Sequence, residues 1–181
     1  MTCIIAISQD NNVFMGGDAA ASEVESGMIS RVNMPKVFVK DEYLVGYAGS
    51  FRMGKFIQYS VEFPKPPSWA KGKSKLDEFM NGYFIPAVRK QVEEHKLESQ
   101  EKEEFGFIIG IRGHIFEIDD AWAAYEPETN YASIGSGSSV AYGSLHSTAG
   151  WSNPKKRIQV ALEASEKYNI YVSSPFTILE N

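Results

Sequence analysis

Strand patterns occur in two blocks along this chain, and each block is followed by helical patterns. The first block predicts strands at residues 2–8, 13–17, 36–40 and 43–48. The second block predicts strands at residues 105–111, 114–118, 122–125 and 131–134. This order lacks the strict strand–helix–strand alternation of a doubly wound parallel sheet. It favours an α+β fold, a four-layer αββα sandwich in which two antiparallel sheets pack face to face with helices outside each.

The helical patterns have apolar residues at three- and four-residue spacing. They predict helices at residues 51–63, from about 76 into the nineties, 139–147 and 155–167. Pro64 and the prolines after it end the first helix, whereas Pro86 lies inside the second and is expected to kink or interrupt it. Final strands are predicted at residues 169–172 and 176–179. The charged residues 93–104 predict a solvated face, with an interaction surface as the alternative.

Length and charge limit the classes of protein to consider. The chain has 181 residues, and no repeat or break in composition divides it, so residues 1–181 are predicted to form one domain. A hydrophobic fraction of 43% supports a sizeable core and argues against a disordered chain. The formal net charge of −5 argues against a nucleic-acid partner, which calls for a basic face.

The cysteine and histidine content argues against a metal site. Cys3 is the single cysteine, which excludes an internal disulfide and a multi-cysteine metal site, and the three histidines have no close ligand spacing. We therefore expect neither a metal nor an organic cofactor. The amino terminus does not resemble a secretory signal, and no run of about 20 apolar residues offers a membrane span. A cytoplasmic protein without a membrane partner is expected.

Three common catalytic motifs are absent: G-x-S-x-G, H-E-x-x-H and the G-x-x-x-x-G-K-[ST] phosphate loop. Thr2 is the nucleophile with a physical rationale. Removal of Met1 would leave a hydroxyl and a free α-amine on one residue, and an α-amine titrates near ~7.7–8 and accepts the hydroxyl proton at neutral pH. A retained Met1 would convert that amine into a peptide nitrogen and mask the activity.

Short segments in a fixed order carry a family resemblance that spans nearly the whole chain. They are Thr2, Gly16-Gly17-Asp18, Lys36-Val37, Gly46-Tyr47-Ala48-Gly49 and Gly135-Ser136-Gly137. In this order the sequence resembles the proteasome β-subunits and, most closely, the bacterial HslV peptidases, which are N-terminal-nucleophile hydrolases. The resemblance implies the αββα sandwich already favoured by the order of strands and helices.

The resemblance also implies a set of catalytic residues. Thr2 would be the nucleophile, Asp18 would hold and charge-balance a lysine, and Lys36 would be that lysine, lowering the pKa of the α-amine. The backbone N–H of Gly49 would form the oxyanion hole, and Ser136 would hydrogen-bond near the amine of the nucleophile.

Each of these residues also has an ordinary structural interpretation. Asp18 is typical of a turn residue that follows two glycines. Lys36 is typical of an exposed lysine on a strand. Gly49 suits a turn between a strand and a helix that needs a permissive backbone. Ser136 lies in a glycine–serine segment of the kind that is usually a flexible connector.

Departures from the family pattern lie in three places. Residues 19–35 are about two residues longer than in the HslV-like pattern, and this stretch is expected to be a loop beside the substrate cleft, so the change bears on specificity. Residues 165–169 lack the D-S-x-S-G segment of many proteasome subunits, which favours the bacterial subfamily. Cys3 is interpreted as a strand residue, with a terminal nucleophile after further trimming as the alternative.

The function that the resemblance implies is that of a threonine-type endopeptidase acting on unfolded proteins or peptides. It also implies homo-oligomeric stacked rings and a separate AAA+ ATPase that unfolds substrates, since this chain has no nucleotide motif. Two alternatives remain at this point. One is an inactive relative that serves as an assembly or binding subunit, and the other is an amidohydrolase of the same nucleophile class that acts on small molecules.

Overall fold

The computed structural model describes residues 2–23, 28–31, 34–95 and 105–181. The strands of the first block are β1 (Ile4–Gln9), β2 (Asn12–Gly17), β3 (Ala20–Glu23), β4 (Met28–Arg31), β5 (Val37–Lys40) and β6 (Tyr43–Ala48). The later strands are β7 (Gly106–Ile111), β8 (His114–Ile118), β9 (Ala124–Tyr125), β10 (Tyr131–Ile134) and β11 (Thr177–Glu180).

The helices lie between and after these blocks. They are α1 (Phe51–Tyr59), α2 (Lys73–Phe79), α3 (Ile85–Glu94), α4 (Ser138–Ser147) and α5 (Pro154–Tyr168). A π-helical segment, Met80–Phe84, joins α2 to α3 without a break. Pro86 has no N–H to donate to the preceding turn, and the change in hydrogen-bond pattern falls directly before it. The predicted interruption at Pro86 is therefore a local change of helix type inside one continuous helical run.

Two antiparallel sheets form the centre of the molecule. The first sheet has the strand order β10-β1-β2-β11, and the second has the order β5-β6-β7-β8-β9. Tight turns with positive φ make the predicted hairpins: Asp10 and Asn11 between β1 and β2, and Arg112 and Gly113 between β7 and β8. Such turns match the right-handed twist of the strands they join.

Three apolar clusters fill the interfaces between the layers. Between the sheets, Ile4, Ala6 and Met15 face Val37, Leu44 and Ile108. On the outer face of the first sheet, Ile5 and Ile7 pack with Leu145, Ile158 and Leu162 of α4 and α5. On the outer face of the second sheet, Val45 and Phe107 pack with Met53, Phe79 and Val88 of α1 to α3. The predicted order of helix, sheet, sheet and helix layers is confirmed.

Several predicted boundaries are wrong. Residues 169–172 form a turn instead of a strand, with the Val172 N–H donating to the Asn169 carbonyl. Part of the predicted loop 19–35 forms the β3–β4 hairpin. The strand predicted at 122–125 is limited to Ala124–Tyr125 because Trp122 has a φ of 63° in the preceding turn. Helix α1 ends at Tyr59, before the prolines that were expected to end it.

The predicted charged face at residues 93–104 is described only in part. Glu93 and Glu94, at the end of α3, are exposed to solvent. The remainder of that prediction lies outside the described residues.

Candidate active site

Thr2 precedes β1 and lies against the loop that joins β10 to α4. Its backbone nitrogen is 3.3 Å from the Ser136 hydroxyl oxygen, and its carbonyl oxygen accepts a hydrogen bond from the Gly137 N–H at 3.1 Å. Thr2 is 2% exposed in the chain that carries Met1. The structure therefore brings Thr2 and Ser136, which are 134 positions apart, into contact at the nitrogen that Met1 removal would convert into an α-amine.

Glycine is required where this loop approaches Thr2. Gly135 has a φ of 91°, and a Cβ at this position would collide with the Thr2 carbonyl oxygen. Both the left-handed backbone and the close approach exclude a side chain here. The glycine–serine segment is consequently a fixed neighbour of Thr2 instead of a flexible connector.

Asp18 follows β2 and links three backbone or side-chain donors. Its Oδ1 accepts from the Cys3 N–H at 3.0 Å and from Lys36 Nζ at 2.9 Å, while its Oδ2 accepts from the Ala20 N–H at 2.9 Å. A buried carboxylate needs several donors of this kind to offset its loss of water. Asp18 thus ties the residue next to Thr2 to the ammonium group of Lys36.

Lys36 is buried at the start of the second sheet. The side chains of Lys36 and Asp18 are both 0% exposed, and the Lys36 ammonium lies 5.7 Å from the centre of the Phe51 ring. Burial lowers the pKa of Lys36, and the Asp18 carboxylate opposes part of that lowering. The predicted lysine is therefore a paired, buried cation and not an exposed strand residue.

Gly49 lies at the turn between β6 and α1. Its φ is 92°, a left-handed conformation that favours glycine, and Ser50 after it caps α1 by accepting from the Met53 N–H at 3.2 Å. Gly49 and Ser136 both line one cleft of about 720 Å³. The cleft places the predicted oxyanion glycine and the loop that contacts Thr2 on one continuous surface.

Carboxylates also line this cleft. Glu117, Asp119 and Asp120 contribute to it at the end of β8. Burial raises the pKa of Glu117, and the Tyr142 hydroxyl, 3.4 Å from it, opposes that increase. The lining of the cleft that contains Gly49 is consequently rich in carboxylates.

Cys3 is a structural residue in this geometry. Its thiol is 0% exposed and lies 3.6 Å from the Ser165 hydroxyl. Burial raises the pKa of Cys3 to about 11. A thiol that stays protonated is a poor nucleophile, so the geometry does not favour the alternative in which Cys3 attacks after further trimming.

Comparison with known proteins gives one curated relative over nearly the whole length. The ATP-dependent protease subunit HslV of Caldicellulosiruptor saccharolyticus is 25% identical over 183 aligned residues, covering 99% of this chain and 97% of that protein. No family model matches the chain. In sequence over nearly its whole length, and in fold, the chain is similar to the proteasome β-subunit and HslV-like N-terminal-nucleophile hydrolases.

Solved structures with the same fold also cover almost the whole HslV-like chain. BPH of Thiobacillus denitrificans in complex with epoxomicin gives a TM-score of 0.78 at 16% identity, covering 99% of this chain and 98% of that one. HslV of Trypanosoma brucei gives a TM-score of 0.69 at 16% identity, with the same coverage. Anbu of Yersinia bercovieri gives a TM-score of 0.66 at 12% identity, covering 99% of this chain and 81% of that one. At these identities the structures support the fold alone.

Sequence reasoning missed one residue that contacts the candidate site. Asn169 donates from Nδ2 to the Ser136 carbonyl at 2.6 Å. The sequence offers only a polar residue after a helical pattern as a signal, and residues 169–172 were predicted to be a strand. A turn is what directs this side chain toward Ser136.

Two features are absent from the described residues, 2–23, 28–31, 34–95 and 105–181. Among them, no three or more His, Cys, Asp or Glu side chains form a group that could hold a metal ion. None of the helices in this part of the chain is both long and apolar enough to span a membrane.

Proposed function

We propose that this HslV-like chain is a threonine-type endopeptidase with Thr2 as its nucleophile after removal of Met1. The observation that carries the proposal is the convergence of Asp18, Lys36 and Ser136 on the two residues directly before β1, Thr2 and Cys3. Asp18 binds the N–H of Cys3 and the ammonium of Lys36, while the Ser136 hydroxyl lies 3.3 Å from the Thr2 nitrogen.

The proposed reaction needs only groups of the polypeptide. The Thr2 hydroxyl attacks the scissile carbonyl and gives its proton to the α-amine of the same residue. Lys36 disfavours protonation of that amine beforehand, which keeps it available as a base. The Gly49 N–H stabilises the negative oxygen of the tetrahedral intermediate.

Collapse of that intermediate completes the cycle. The peptide C–N bond breaks, the protonated amine passes its proton to the leaving nitrogen, and an ester to Thr2 remains. Water then attacks the ester and gives a proton to the α-amine. The bond between the acyl carbon and the Thr2 oxygen breaks, the amine returns the proton to that oxygen, and the second product leaves as a carboxylic acid. The cycle consumes one water per peptide bond and uses neither a metal nor an organic cofactor.

Substrate class and assembly follow from the relatives by analogy. The Caldicellulosiruptor saccharolyticus relative is named as an ATP-dependent protease subunit. We extend this to unfolded polypeptide substrates, to homo-oligomeric stacked rings and to a separate AAA+ ATPase that delivers the substrate. On the same analogy we propose a cytoplasmic location.

Substitution of Thr2 tests the chemistry directly. We expect Thr2→Ala to abolish hydrolysis of unfolded protein and of short peptides, because the variant retains the fold but has no hydroxyl. Thr129→Ala is the matched control, since Thr129 donates to the Tyr131 carbonyl away from the site, and it should keep wild-type rates. Undiminished peptide cleavage by Thr2→Ala would overturn the proposal.

The range of substrates separates the proposal from its alternatives. Turnover restricted to small amides, with no cleavage of unfolded protein, would indicate an amidohydrolase. A protein with an uncovered Thr2 and no turnover of any of these substrates would indicate an assembly or binding subunit.

A further inference from the structure

The chain enters the first sheet almost at its first residue. Strand β1 lies between β10 and β2, and its first residue, Ile4, already pairs with Ile134 on one side and with Gly17 on the other. An inner strand is hydrogen-bonded along both edges, so it leaves the sheet only when two ladders break. The start of β1 is therefore fixed as firmly as its middle.

The two residues before β1 are also held by hydrogen bonds. The Thr2 carbonyl accepts from the Gly137 N–H at 3.1 Å. The Cys3 N–H donates to Asp18 Oδ1 at 3.0 Å, and the Cys3 carbonyl accepts from the Asp18 N–H at 3.3 Å. These three bonds must open before another protein can bind the backbone of Thr2 and Cys3.

Close packing surrounds the same two residues. Thr2 is 2% exposed and Cys3 is 0% exposed. A Cβ added at Gly135 would collide with the Thr2 carbonyl oxygen, and one added at Gly137 would lie 2.8 Å from the Cys3 Cβ. The loop over Thr2 and Cys3 has no room for an added methyl group, so a second polypeptide cannot enter between them.

Removal of Met1 is a hydrolysis of the bond between Met1 and Thr2. Water adds to the Met1 carbonyl carbon, the C–N bond breaks, and methionine leaves with a new carboxylate while the Thr2 nitrogen becomes an amine. An aminopeptidase must hold this bond and the residue after it in its own active site. The contacts of Thr2 and Cys3 deny that access in the folded chain.

We propose that a methionine aminopeptidase removes Met1 before β1 is built into the first sheet, and that a folded chain with Met1 stays unprocessed. Folding after removal then places the new amine of Thr2 beside the Ser136 hydroxyl, where the nitrogen lies 3.3 Å from that oxygen. Resting on the proposed function, we also expect the folded chain with Met1 to be inactive, because its Thr2 nitrogen stays an amide.

Intact mass measures the order of removal and folding without any peptidase substrate. Protein made in cells whose methionine aminopeptidase is inhibited carries Met1, and it is incubated in its folded state with the purified aminopeptidase. We expect it to lose Met1 at least about 100-fold more slowly than a peptide of residues 1–12, because the contacts of Thr2 and Cys3 must open first. The same chain refolded from urea with the aminopeptidase present should begin at Thr2 and hydrolyse peptides.

A chain with an Ala-Gly-Ser-Gly insertion between Met1 and Thr2 is the matched control. The insertion moves the bond after Met1 away from the loop over Thr2 and leaves the fold unchanged. This folded chain should lose its methionine as fast as a peptide with the same insertion. Slow removal from it would overturn the proposal, because the contacts of Thr2 and Cys3 would not be the cause.

The remaining outcomes separate the possible failures. A smaller difference in rate between the folded chain and the peptide of residues 1–12 would overturn the proposed order. Loss of Met1 from the folded wild type without aminopeptidase, but not from Thr2→Ala, would also overturn it, because Thr2 would then cleave its own amide. A chain that begins at Thr2 and hydrolyses nothing would overturn the proposed function, and the masses would still decide the order of removal and folding.

Discussion

Lys36 keeps its ammonium group beside Asp18 in a place that water does not reach. Both side chains are 0% exposed, and the nitrogen lies 2.9 Å from the carboxylate. Removal of one partner from a buried pair leaves the other charge without compensation, which costs far more than loss of a surface pair. The pair therefore matters to both stability and the proposed chemistry.

We expect Lys36→Ala to lower the free energy of unfolding by about 3 kcal/mol and to slow peptide turnover by about 100-fold or more. Chemical denaturation and steady-state kinetics measure the two effects. Lys75→Ala is the control, because Lys75 and Glu78 form a pair with side chains 57% and 53% exposed, and its cost should stay below about 1 kcal/mol. Near-normal turnover by Lys36→Ala would show that Lys36 has no catalytic role.

Cys3 gives a test in alkaline solution. Its pKa is raised from 9.0 to about 11 by burial, so the unfolded chain loses the thiol proton at a lower pH than the folded chain. The stabilisation from Cys3 is complete below about pH 9 and is lost as the pH rises toward 11. Subtracting the free energy of unfolding of Cys3→Ala at each pH removes the contributions of the groups that titrate in both proteins.

The stability advantage of the wild type over Cys3→Ala should shrink by about 2 kcal/mol between pH 8 and pH 10.5. Urea denaturation at several pH values gives this difference. A constant difference across that range would mean that the Cys3 thiol ionises equally well in the folded and unfolded chains.

Residue chemistry explains which parts of the site the sequence predicts. Thr2 is recognisable as a candidate because, after removal of Met1, its hydroxyl and its own amine would supply a nucleophile and a base at one position. Asp18 and Lys36 depend on the order of motifs in the family resemblance, because alone they are a turn residue and a strand lysine. The Asn169 side chain donates to the carbonyl of Ser136, which is 33 positions away in the sequence. The type of a residue does not indicate which distant group its side chain contacts.

Among the secondary-structure elements, tight hairpins were the most predictable. Turn residues with positive φ join β1 to β2 and β7 to β8, and the alternating patterns on each side fix their register. The β3–β4 hairpin was missed because its four-residue strands are too short for alternation to stand out. The π-helical segment before Pro86 was also missed, since a proline in a helical pattern indicates a disturbance but not its form.

The close packing of the two sheets at Gly46 predicts how a substitution there changes stability. Gly46 lies in β6, and an added Cβ would meet the side chain of Ile4 at 2.5 Å and that of Met15 at 2.7 Å. We expect Gly46→Ala to lower the free energy of unfolding by about 1–3 kcal/mol, because the sheets must move apart or the side chains leave their rotamers. Thermal and urea denaturation measure this loss.

Gly143→Ala is the matched control for that substitution. Gly143 lies inside α4, and nothing stands within 4 Å of a Cβ added there. Alanine favours helix over glycine by about 1 kcal/mol, so this variant should be as stable as the wild type or more stable. Equal losses of unfolding free energy in the two variants would show that close sheet packing at Gly46 does not cause the loss of stability.

For the molecule as a whole, the sandwich explains why the site has its location. Thr2 and Asp18 flank β1 and β2 of the first sheet, whereas Lys36 and Gly49 lie at the ends of β5 and β6 of the second. The Asp18–Lys36 pair joins these two sheets at that end. The cleft of about 720 Å³ opens there, and its lining includes Gly49 together with the acidic residues at and after the end of β8. The geometry of the candidate site consequently depends on how the sheets stack.

The central claim is that Thr2, freed from Met1, is both the nucleophile and its own proton acceptor. The most direct measurement is the intact mass of active protein after treatment with epoxomicin, the compound in the Thiobacillus denitrificans BPH complex, followed by mapping of the adduct. The expected result is a chain that begins at Thr2 with the adduct on that residue, and no adduct on Thr2→Ala. An active chain that retains Met1, or an adduct on any other residue, would contradict it.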